Sequence, residues 1–324
     1  MTQATAVAHP NIAFIKYWGN QDQALRLPSN GSISMNLDGL HSHTSVRFTS
    51  SLAGDELLLD GKTASPEQTQ RVTAFLDLVR GQAGIASPAR VESRNNFPSG
   101  AGIASSSSAF AALALAASAS AGLQLDEAAL SRLARRGSGS ASRSVPGGFV
   151  EWRPGSDAES YASSIAPATY WDLVDCIAVI SEAHKATGST AGHVLAGSSA
   201  LQAARLAGAP QRLEQCRTAI QKRDFEALAE VAELDCHLMH AVMMTSQPGL
   251  HYWLPASLEV MEAVRAWRAA GTPAFYTLDA GPNVHVLCPA SGADALSAAL
   301  QQVPGVLRVL RAGAGGPAQL LPAS

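Results

Sequence analysis

The sequence predicts an α+β protein in which strands and helices are mixed in both halves of the chain. Short alternating or β-branched runs at residues 11–18, 32–37 and 43–51 are separated by Pro, Asn, Gly and Ser, as in strands joined by tight turns. Segments of helical periodicity follow in both halves, without a regular alternation of one strand with one helix. That arrangement favours α+β over a regular βαβ array.

The first half continues from these strands into three predicted helices. The segment 65–84 begins with the start signal Ser-Pro-Glu and ends at a glycine, as a helix of roughly four turns would. After a strand-like run at 89–96, a Gly/Ser loop leads into an Ala/Leu-rich stretch that is small or apolar all round, which predicts a buried helix. Residues 124–136 are predicted to form the third helix.

The second half begins with a buried-strand candidate at residues 175–183, and a domain boundary is expected around 170–190. Residues 189–209 are predicted to form one helix with a Ser/Thr start. The remaining pattern predicts helical segments at 210–244, 255–271 and 292–303, two strands flanking a turn within 273–288, and a last strand within 305–313.

Composition and charge favour a small-molecule ligand. A formal charge of −3, without a Lys/Arg run, gives no basic field for a nucleic-acid backbone or an anionic membrane surface. No apolar run approaches the ~20 residues needed to span a bilayer, and no signal-like N-terminal segment is visible. The four scattered cysteines lack CxxC spacing and are interpreted as structural thiols. We therefore expect a cytoplasmic protein with neither a nucleic-acid nor a membrane partner.

A glycine and serine loop, "PSGAGIASSSS" at residues 98–108, is the first candidate site. Gly100 and Gly102 allow backbone torsions closed to other residues, and Ser105 and Ser106 stand at the start of the next helix. Free N–H groups at a helix N-terminus favour a phosphate, and serine hydroxyls can add hydrogen bonds or reach Mg²⁺. The sequence is neither Walker A nor GxGxxG, so a serine-capped turn is an equal alternative.

Two further segments place charged side chains beside small residues. In "RRGSGSASRS", serines surround Arg143, whose guanidinium matches a carboxylate or a phosphate. This favours an anion site over a solvated Gly/Ser linker, because a strand-like run follows at once. In "FYTLDAGPNVHVL", Asp279 ends an apolar strand. Taken alone, that position favours a turn cap over a general base.

In this order, these segments resemble the ATP-dependent diphosphomevalonate decarboxylases of the GHMP kinase superfamily. The matching stretches are "PNIAFIKYWGN", "LPSNGSISMNL", "NNFPSGAGIASSSSAFAALA", "RRGSGSASRSVPGGFVEW" and "YTLDAGPNVHVL". The resemblance implies an N-terminal half like the ribosomal S5 domain 2 fold (residues 1–180) and a C-terminal ferredoxin-like half (181–324), with the last strand free to return to the first half. It also implies an active site between the halves and a homodimer.

The resemblance further implies phosphorylation of the 3-hydroxyl of a 5-phosphorylated mevalonate by ATP with Mg²⁺, followed by loss of carbon dioxide and phosphate in the mevalonate pathway. The catalytic residues would be Asp279, Lys16 and Arg143. The substrate would meet Asn11, Tyr17, Asn20, Ser138, Gly139, Ser140 and Arg143. ATP would meet Ser99, Gly100, Ala101, Gly102, Ser105 and Ser106, with Ser106 as the metal ligand. Trp18, His193, His237 and His240 are interpreted as packing residues.

Asn20 departs from the family pattern, which commonly has lysine at that position, in contact with the 5-diphosphate. An amide supplies no charge, and charge-assisted hydrogen bonds are roughly twice as strong as neutral ones. Either another cation such as Arg26, Lys185 or a histidine fills the gap, or the substrate is mevalonate 5-phosphate. The diphosphate is the first expectation, with a mevalonate 3-kinase and a non-catalytic homologue as further alternatives.

Overall fold

The computed structural model describes residues 2–98, 105–183 and 187–322. The strands are β1 (Ala4–Ala8), β2 (Asn11–Ile15), β3 (Asn20–Asp22), β4 (Leu27–Pro28), β5 (Ser32–Asn36), β6 (Ser42–Phe48), β7 (Glu56–Leu59), β8 (Lys62–Thr63), β9 (Ala89–Asn95), β10 (Phe149–Trp152), β11 (Ala162–Ala166), β12 (Leu173–Val179), β13 (Phe275–Thr277), β14 (Val284–Pro289), β15 (Arg308–Gly313) and β16 (Gln319–Leu320). The α-helices are α1 (Pro66–Ala83), α2 (Ser105–Ser120), α3 (Glu127–Gly137), α4 (Ser189–Leu195), α5 (Gln202–Ala207), α6 (Ala209–Lys222), α7 (Phe225–Thr245), α8 (Pro255–Ala269) and α9 (Ala293–Gln301). The predicted α+β class is confirmed.

The first sheet has the strand order β16-β1-β6-β9-β7-β8, with β7 and β9 parallel and its other pairs antiparallel. Helix α2 packs on this sheet and is buried along most of its length, as its all-apolar pattern predicts. Helix α1 has the predicted start and end, since Ser65 caps it and Gly84 ends it in the left-handed conformation. In addition, Gln68 completes a capping box with Ser65. None of the described helices is long and apolar enough to cross a membrane.

A second sheet, in the order β11-β10-β5-β2, forms the centre of the molecule because helices α6 and α7 from the second half cover it. A third sheet, β13-β14-β12-β15, is packed by α8 and α9. Phe14 of β2 packs edge-on against Phe275 of β13, with ring centroids 6.2 Å apart, and both belong to one buried cluster. The two halves therefore share a continuous apolar core.

The single helix predicted over residues 189–209 is wrong. The chain forms α4, a 3-10 turn at Ala196–Ser198 and then α5, and α4 starts after Gly188 instead of after a Ser/Thr cap. Gly197 has a low helix propensity, and the Ser199 hydroxyl accepts a hydrogen bond from the Leu201 N–H, which competes with the hydrogen bonds of a helix. The break turns α5 toward the segment that follows β2.

Candidate active site

A cleft of about 600 Å³ lies between the two halves, where several loops and helix ends meet. It is enclosed by the residues after β2, the 3-10 helix Gly139–Ser144, the start of α2, helix α4 and the turn after β13. Of the residues predicted for the site, those lining it are Lys16, Tyr17, Ser105, Ser106, Ser138, Gly139, Ser140, Arg143 and Asp279. Residues more than 260 positions apart in the chain thus meet in one cleft.

Lys16 and Asp279 form an ion pair in this cleft. The Lys16 Nζ lies 2.7 Å from the Asp279 Oδ1, with the lysine side chain only 1 % exposed and the carboxylate 26 % exposed. Burial raises the pKa of the Asp279 carboxyl, but the Lys16 ammonium, helped by His285 and Arg143, outweighs burial, so the pKa lies below its ordinary value. Asp279 is therefore an ionised carboxylate at neutral pH and accessible to a ligand.

The side chain of Arg143 is a buried cation held by neutral acceptors. Its Nε donates to the Ser34 hydroxyl at 3.0 Å, its Nη1 to the Ser32 hydroxyl at 2.5 Å and its Nη2 to the Asn11 Oδ1 at 3.1 Å. Burial lowers its pKa to about 10, which leaves it charged at pH 7. Asn11 lies behind Arg143 and also donates to the Ser144 hydroxyl at 2.8 Å, so in this structure it orients the arginine.

Two more arginines border the cleft. Arg26 Nε donates to the Arg136 carbonyl at 3.0 Å, and Arg71 Nη2 donates to the Gly137 carbonyl at 2.9 Å. Both carbonyls belong to the C-terminal end of α3, where the helix dipole attracts cations. Among the described residues, neither arginine, nor Arg143, forms an ion pair with a carboxylate within 4.0 Å. Because buried charge is costly without a counter-ion, this arrangement suits an anionic ligand.

Tyr17 is packed between the cleft and the second sheet. Its ring stacks on His193 at a centroid distance of 4.1 Å and meets Trp152 edge-on at 4.7 Å, and burial raises its pKa to about 12. Its hydroxyl donates to the Asn20 side-chain oxygen. A Cβ on Gly139 would lie 2.5 Å from this ring, so glycine is required there.

Asn20 is held by neighbours and does not line the cleft. Its side chain accepts from the Tyr17 hydroxyl and donates to the Gln23 Oε1 at 2.7 Å. Lys185, one of the cations expected to compensate, lies outside the described residues, as do Ser99, Gly100, Ala101 and Gly102.

A second cavity of about 440 Å³ adjoins the cleft and shares Arg71, Ser105 and Ser106 with it. Its walls combine apolar side chains from α1, α2 and β7 with polar ones from β9. The Ser106 hydroxyl lies 3.2 Å from the Ser138 hydroxyl, so it faces the cleft side. Arg71, Glu67 and this cavity were not found by the sequence reasoning, because α1 has an ordinary amphipathic pattern.

The aromatic and histidine residues interpreted as packing have mixed outcomes. Trp18 is buried in an apolar cluster yet also lines the cleft. His193 accepts the Gly19 N–H at 2.9 Å and lines the cleft as well. His240 is buried beneath the site, and burial lowers its pKa to about 3, so it is neutral. Within the described ranges, no group of three or more His, Cys, Asp or Glu side chains could hold a metal ion.

The cleft has a lysine–aspartate pair and guanidinium groups without a carboxylate partner among the residues that the structure describes, which is typical of sites that bind phosphorylated small molecules. Comparison with known families identifies it further. Residues 8–166 match the diphosphomevalonate decarboxylase-like N-terminal domain, and residues 176–309 match the mevalonate 5-diphosphate decarboxylase C-terminal domain. The chain belongs to the diphosphomevalonate decarboxylase family.

Individual relatives agree with this assignment. The chain is 37 % identical over 301 residues to the diphosphomevalonate decarboxylase of Candida albicans, covering 87 % of this chain and 83 % of that one. The human enzyme of the same name is 34 % identical over 307 residues, covering 87 % and 76 %. The structure of mevalonate diphosphate decarboxylase from Staphylococcus aureus superposes with a TM-score of 0.93 at 37 % identity, covering 98 % of both chains. The predicted GHMP kinase fold is thereby confirmed.

Proposed function

We propose that the protein is an ATP-dependent decarboxylase that converts mevalonate 5-diphosphate to isopentenyl diphosphate, ADP, phosphate and carbon dioxide. The observation that carries the proposal is the Lys16–Asp279 pair, 2.7 Å apart, in a cleft with the buried Arg143. A similar structure, with a TM-score of 0.93 and 39 % identity, is described as MDDEF in complex with MVAPP, AMPPCP and magnesium. Its ligands are the chemical class that this cleft would take.

Asp279 would orient the 3-hydroxyl and accept its proton as the hydroxyl oxygen attacks the γ-phosphorus of ATP, with ADP leaving in line. Lys16 would stabilise the negative charge that develops on the transferred group. The 3-phosphate then leaves with its bonding electrons. The bond from C2 to the carboxylate breaks, carbon dioxide departs, and the freed electron pair forms the new double bond. Phosphorylation is needed because hydroxide is a poor leaving group from the tertiary carbon, whereas phosphate is a good one.

Arg143 would bind an anionic group of the substrate with the N–H groups that its neutral neighbours leave free. The residues that accept its hydrogen bonds, Asn11 and the serines of β5, are themselves buried, so the orientation of the Arg143 guanidinium is fixed before the ligand binds. Ser138, Gly139 and Ser140 would complete the oxygen contacts, since they line the same wall. Tyr17 would add a phenolic donor if its proton turns from Asn20 to the substrate phosphate.

ATP would extend from the cleft into the second cavity, with its phosphates at the start of α2 and its base among the apolar side chains. Ser105 and Ser106 line both spaces, and their hydroxyl oxygens could coordinate a phosphate-bound cation. Mg²⁺ usually takes only one or two protein ligands beside phosphate oxygens and water, so the donor set is sufficient. When bound, the ion would neutralise triphosphate charge. Ser99, Gly100, Ala101 and Gly102 stay predicted ATP contacts.

Mevalonate 5-phosphate is the second candidate substrate because Asn20 brings no charge and its amide is occupied by Tyr17 and Gln23. Arg26 and Arg71 favour the diphosphate, since both offer charge at the cleft without a carboxylate partner within 4.0 Å among the described residues. Steady-state kinetics with both substrates separates the two. A much higher kcat/KM for the monophosphate would reverse the order.

The reaction type is tested by measuring ADP and carbon dioxide together. Equal amounts of both support the decarboxylase, ADP without carbon dioxide supports a mevalonate 3-kinase, and neither product supports a non-catalytic homologue. We also propose a homodimer in the cytoplasm, with a domain division near residue 180. Light scattering and subcellular fractionation would test the first two of these proposals.

A further inference from the structure

The segment from Lys16 to Gly19, called here the 16–19 segment, continues β2 beyond its last strand pair. The β2–β5 ladder ends at Ile15, opposite Ile33, so the next peptide groups have no strand partner. Buried peptide groups need hydrogen-bond partners. The partners come largely from side chains of the C-terminal half, although the segment belongs by sequence to the N-terminal half.

Lys16 is held by both of its own peptide groups. Its N–H donates to the Asp235 Oδ2 at 2.6 Å, and its carbonyl accepts from the Arg205 Nη2 at 2.7 Å and from the Asn30 Nδ2 at 2.9 Å. Asp235 belongs to α7 and Arg205 to α5. The Asp235 side chain is 0 % exposed and that of Arg205 is 1 % exposed, so solvent hardly weakens these bonds.

The peptide groups of Trp18 and Gly19 are held in the same way. The Trp18 carbonyl accepts from the Gln202 Nε2 at 3.2 Å and from the Arg205 Nη1 at 3.3 Å, and the Gly19 N–H donates to the His193 Nδ1 at 2.9 Å. Gly19 has φ +95°, and a Cβ there would lie 2.8 Å from the Gln202 amide nitrogen. The four side chains His193, Gln202, Arg205 and Asp235 are called the backbone clamp below.

Charge pairing fixes the clamp itself. The Asp235 Oδ1 accepts from the Arg212 Nε at 2.7 Å, and Arg212 Nη2 donates to the Arg205 carbonyl at 2.8 Å. The Arg205 Nη2 lies 3.9 Å from the Asp235 Oδ2. One carboxylate on α7 thus orders two guanidinium groups, one on α5 and one on α6, and all three side chains are buried.

We infer that Asp235 and Arg205 are positioning residues that hold the Lys16 backbone in the same rigid unit as Asp279. Asp279 follows β13 in the C-terminal half, and the clamp attaches Lys16 to helices of that half. The clamp would thereby preserve the ammonium–carboxylate distance of 2.7 Å. This inference rests on the proposed function for its catalytic meaning, but not for its structural content.

The variants Asp235→Asn and Arg205→Lys test the inference, with Glu151→Gln as the matched control. Glu151 is buried and accepts from Arg217 Nε and Nη2, both at 2.9 Å, so it joins β10 to α6 as a charged link between the halves. It makes no hydrogen bond to the 16–19 segment. All three variants weaken contacts between the halves, but only the first two loosen Lys16.

We expect kcat to fall about 10- to 100-fold in the two clamp variants, the scale of a misplacement near 1 Å. The KM for ATP should stay within about threefold of the wild-type value, because these substitutions do not change the contacts that bind ATP equally in the ground state and the transition state. The acid limb of the kcat profile should move to higher pH, because Asp279 loses the ammonium that offsets its burial. The groups acting on Asp279 from the surrounding elements are Lys16, His285, Arg143, Cys236 and His240.

Carbon-13 NMR of the Asp279 carboxyl, assigned by its loss in Asp279→Asn, measures the same titration without turnover. A higher pKa of Asp279 in the clamp variants, with no change in Glu151→Gln, supports the inference even if the wild-type protein lacks decarboxylase activity. The inference is overturned if kcat stays within twofold, or if Asp279 titrates alike in all variants. If Asp235→Asn does not fold, Arg205→Lys decides by the same criteria.

Discussion

Lys16→Met removes the ammonium beside Asp279 and keeps a side chain of similar length. Breaking a buried ion pair by removing one partner costs about 3–5 kcal/mol, and the 26 % exposure of the Asp279 side chain places this case at about 3 kcal/mol. Removing one preorganised electrostatic group from an active site lowers kcat by about 10²–10³-fold. We expect both effects, because the ammonium pairs with the Asp279 carboxylate and, under the proposed function, would also stabilise the transferred phosphoryl group.

The pH dependence gives the sharper check on this variant. In the wild type the pKa of Asp279 is lowered, so its contribution to stability is present above the pKa of the unfolded chain and is lost only as pH falls through the folded value. Without Lys16, burial raises the folded pKa, so the carboxylate destabilises the variant at neutral pH. Acidification relieves that cost by protonating Asp279. The difference in Tm between wild type and variant should therefore shrink from pH 7 toward pH 5.

Calorimetry at several pH values and assays of ADP release measure these two effects. Lys62→Met, an exposed substitution in β8, is the control and should change neither quantity. The reasoning is refuted if Lys16→Met keeps kcat within about fivefold of wild type, far short of the loss expected from an electrostatic group. It also fails if the Tm difference stays constant across the pH range.

Three further predictions concern the part of the cleft that would bind the anionic groups of the substrate. Arg143→Lys keeps the charge but loses the fork, so isothermal titration calorimetry should show substrate affinity reduced about 10²-fold or more; unchanged affinity would contradict the role. Asn20→Lys should raise kcat/KM for the diphosphate about tenfold more than kcat/KM for the monophosphate, a difference of roughly 1.4 kcal/mol. Arg26→Gln should lower kcat/KM for the diphosphate. Equal effects on both substrates would count against contact of these side chains with the second phosphate. Gly139→Ala places a Cβ 2.5 Å from the Tyr17 ring and should lower kcat/KM while the circular dichroism spectrum stays native; full activity would mean that the ring moves freely.

Much of the fold followed from local patterns, because burial and capping leave their marks on neighbouring residues. The all-apolar α2 is buried, and the Ser65 and Gly84 signals bound α1 as predicted. The helix over 189–209 was predicted wrongly, because its break depends on Gly197 and on contacts with a distant segment. The division near residue 180 stays a prediction, while β16 pairs with β1 at the opposite end of the chain.

The sequence predicted which residues line the cleft better than it predicted how they are arranged there. From its turn alone, Asp279 is predicted to be a turn cap, yet its carboxylate accepts from an ammonium 263 residues away. No periodicity links such positions; only their joint occurrence with the other motifs indicated the role. Asp235 gave no signal at all, because it is one of four acidic residues in the α7 sequence, and its burial appears only after α5 and α6 are packed beside it.

The distribution of charge explains why Asn20 is less decisive than the sequence alone indicates. A lysine at that position would be one cation beside Tyr17, but Arg26 already acts electrostatically on the Tyr17 hydroxyl, and its own pKa is lowered by burial. The C-terminal carbonyls of α3 orient Arg26 and Arg71 together, which leaves their other N–H groups for a ligand. A second phosphate would bring the counter-charge that these two guanidinium groups lack. We therefore expect substrate choice to depend on Arg26 and Arg71 acting with Asn20, because a monophosphate would leave more of their charge without compensation.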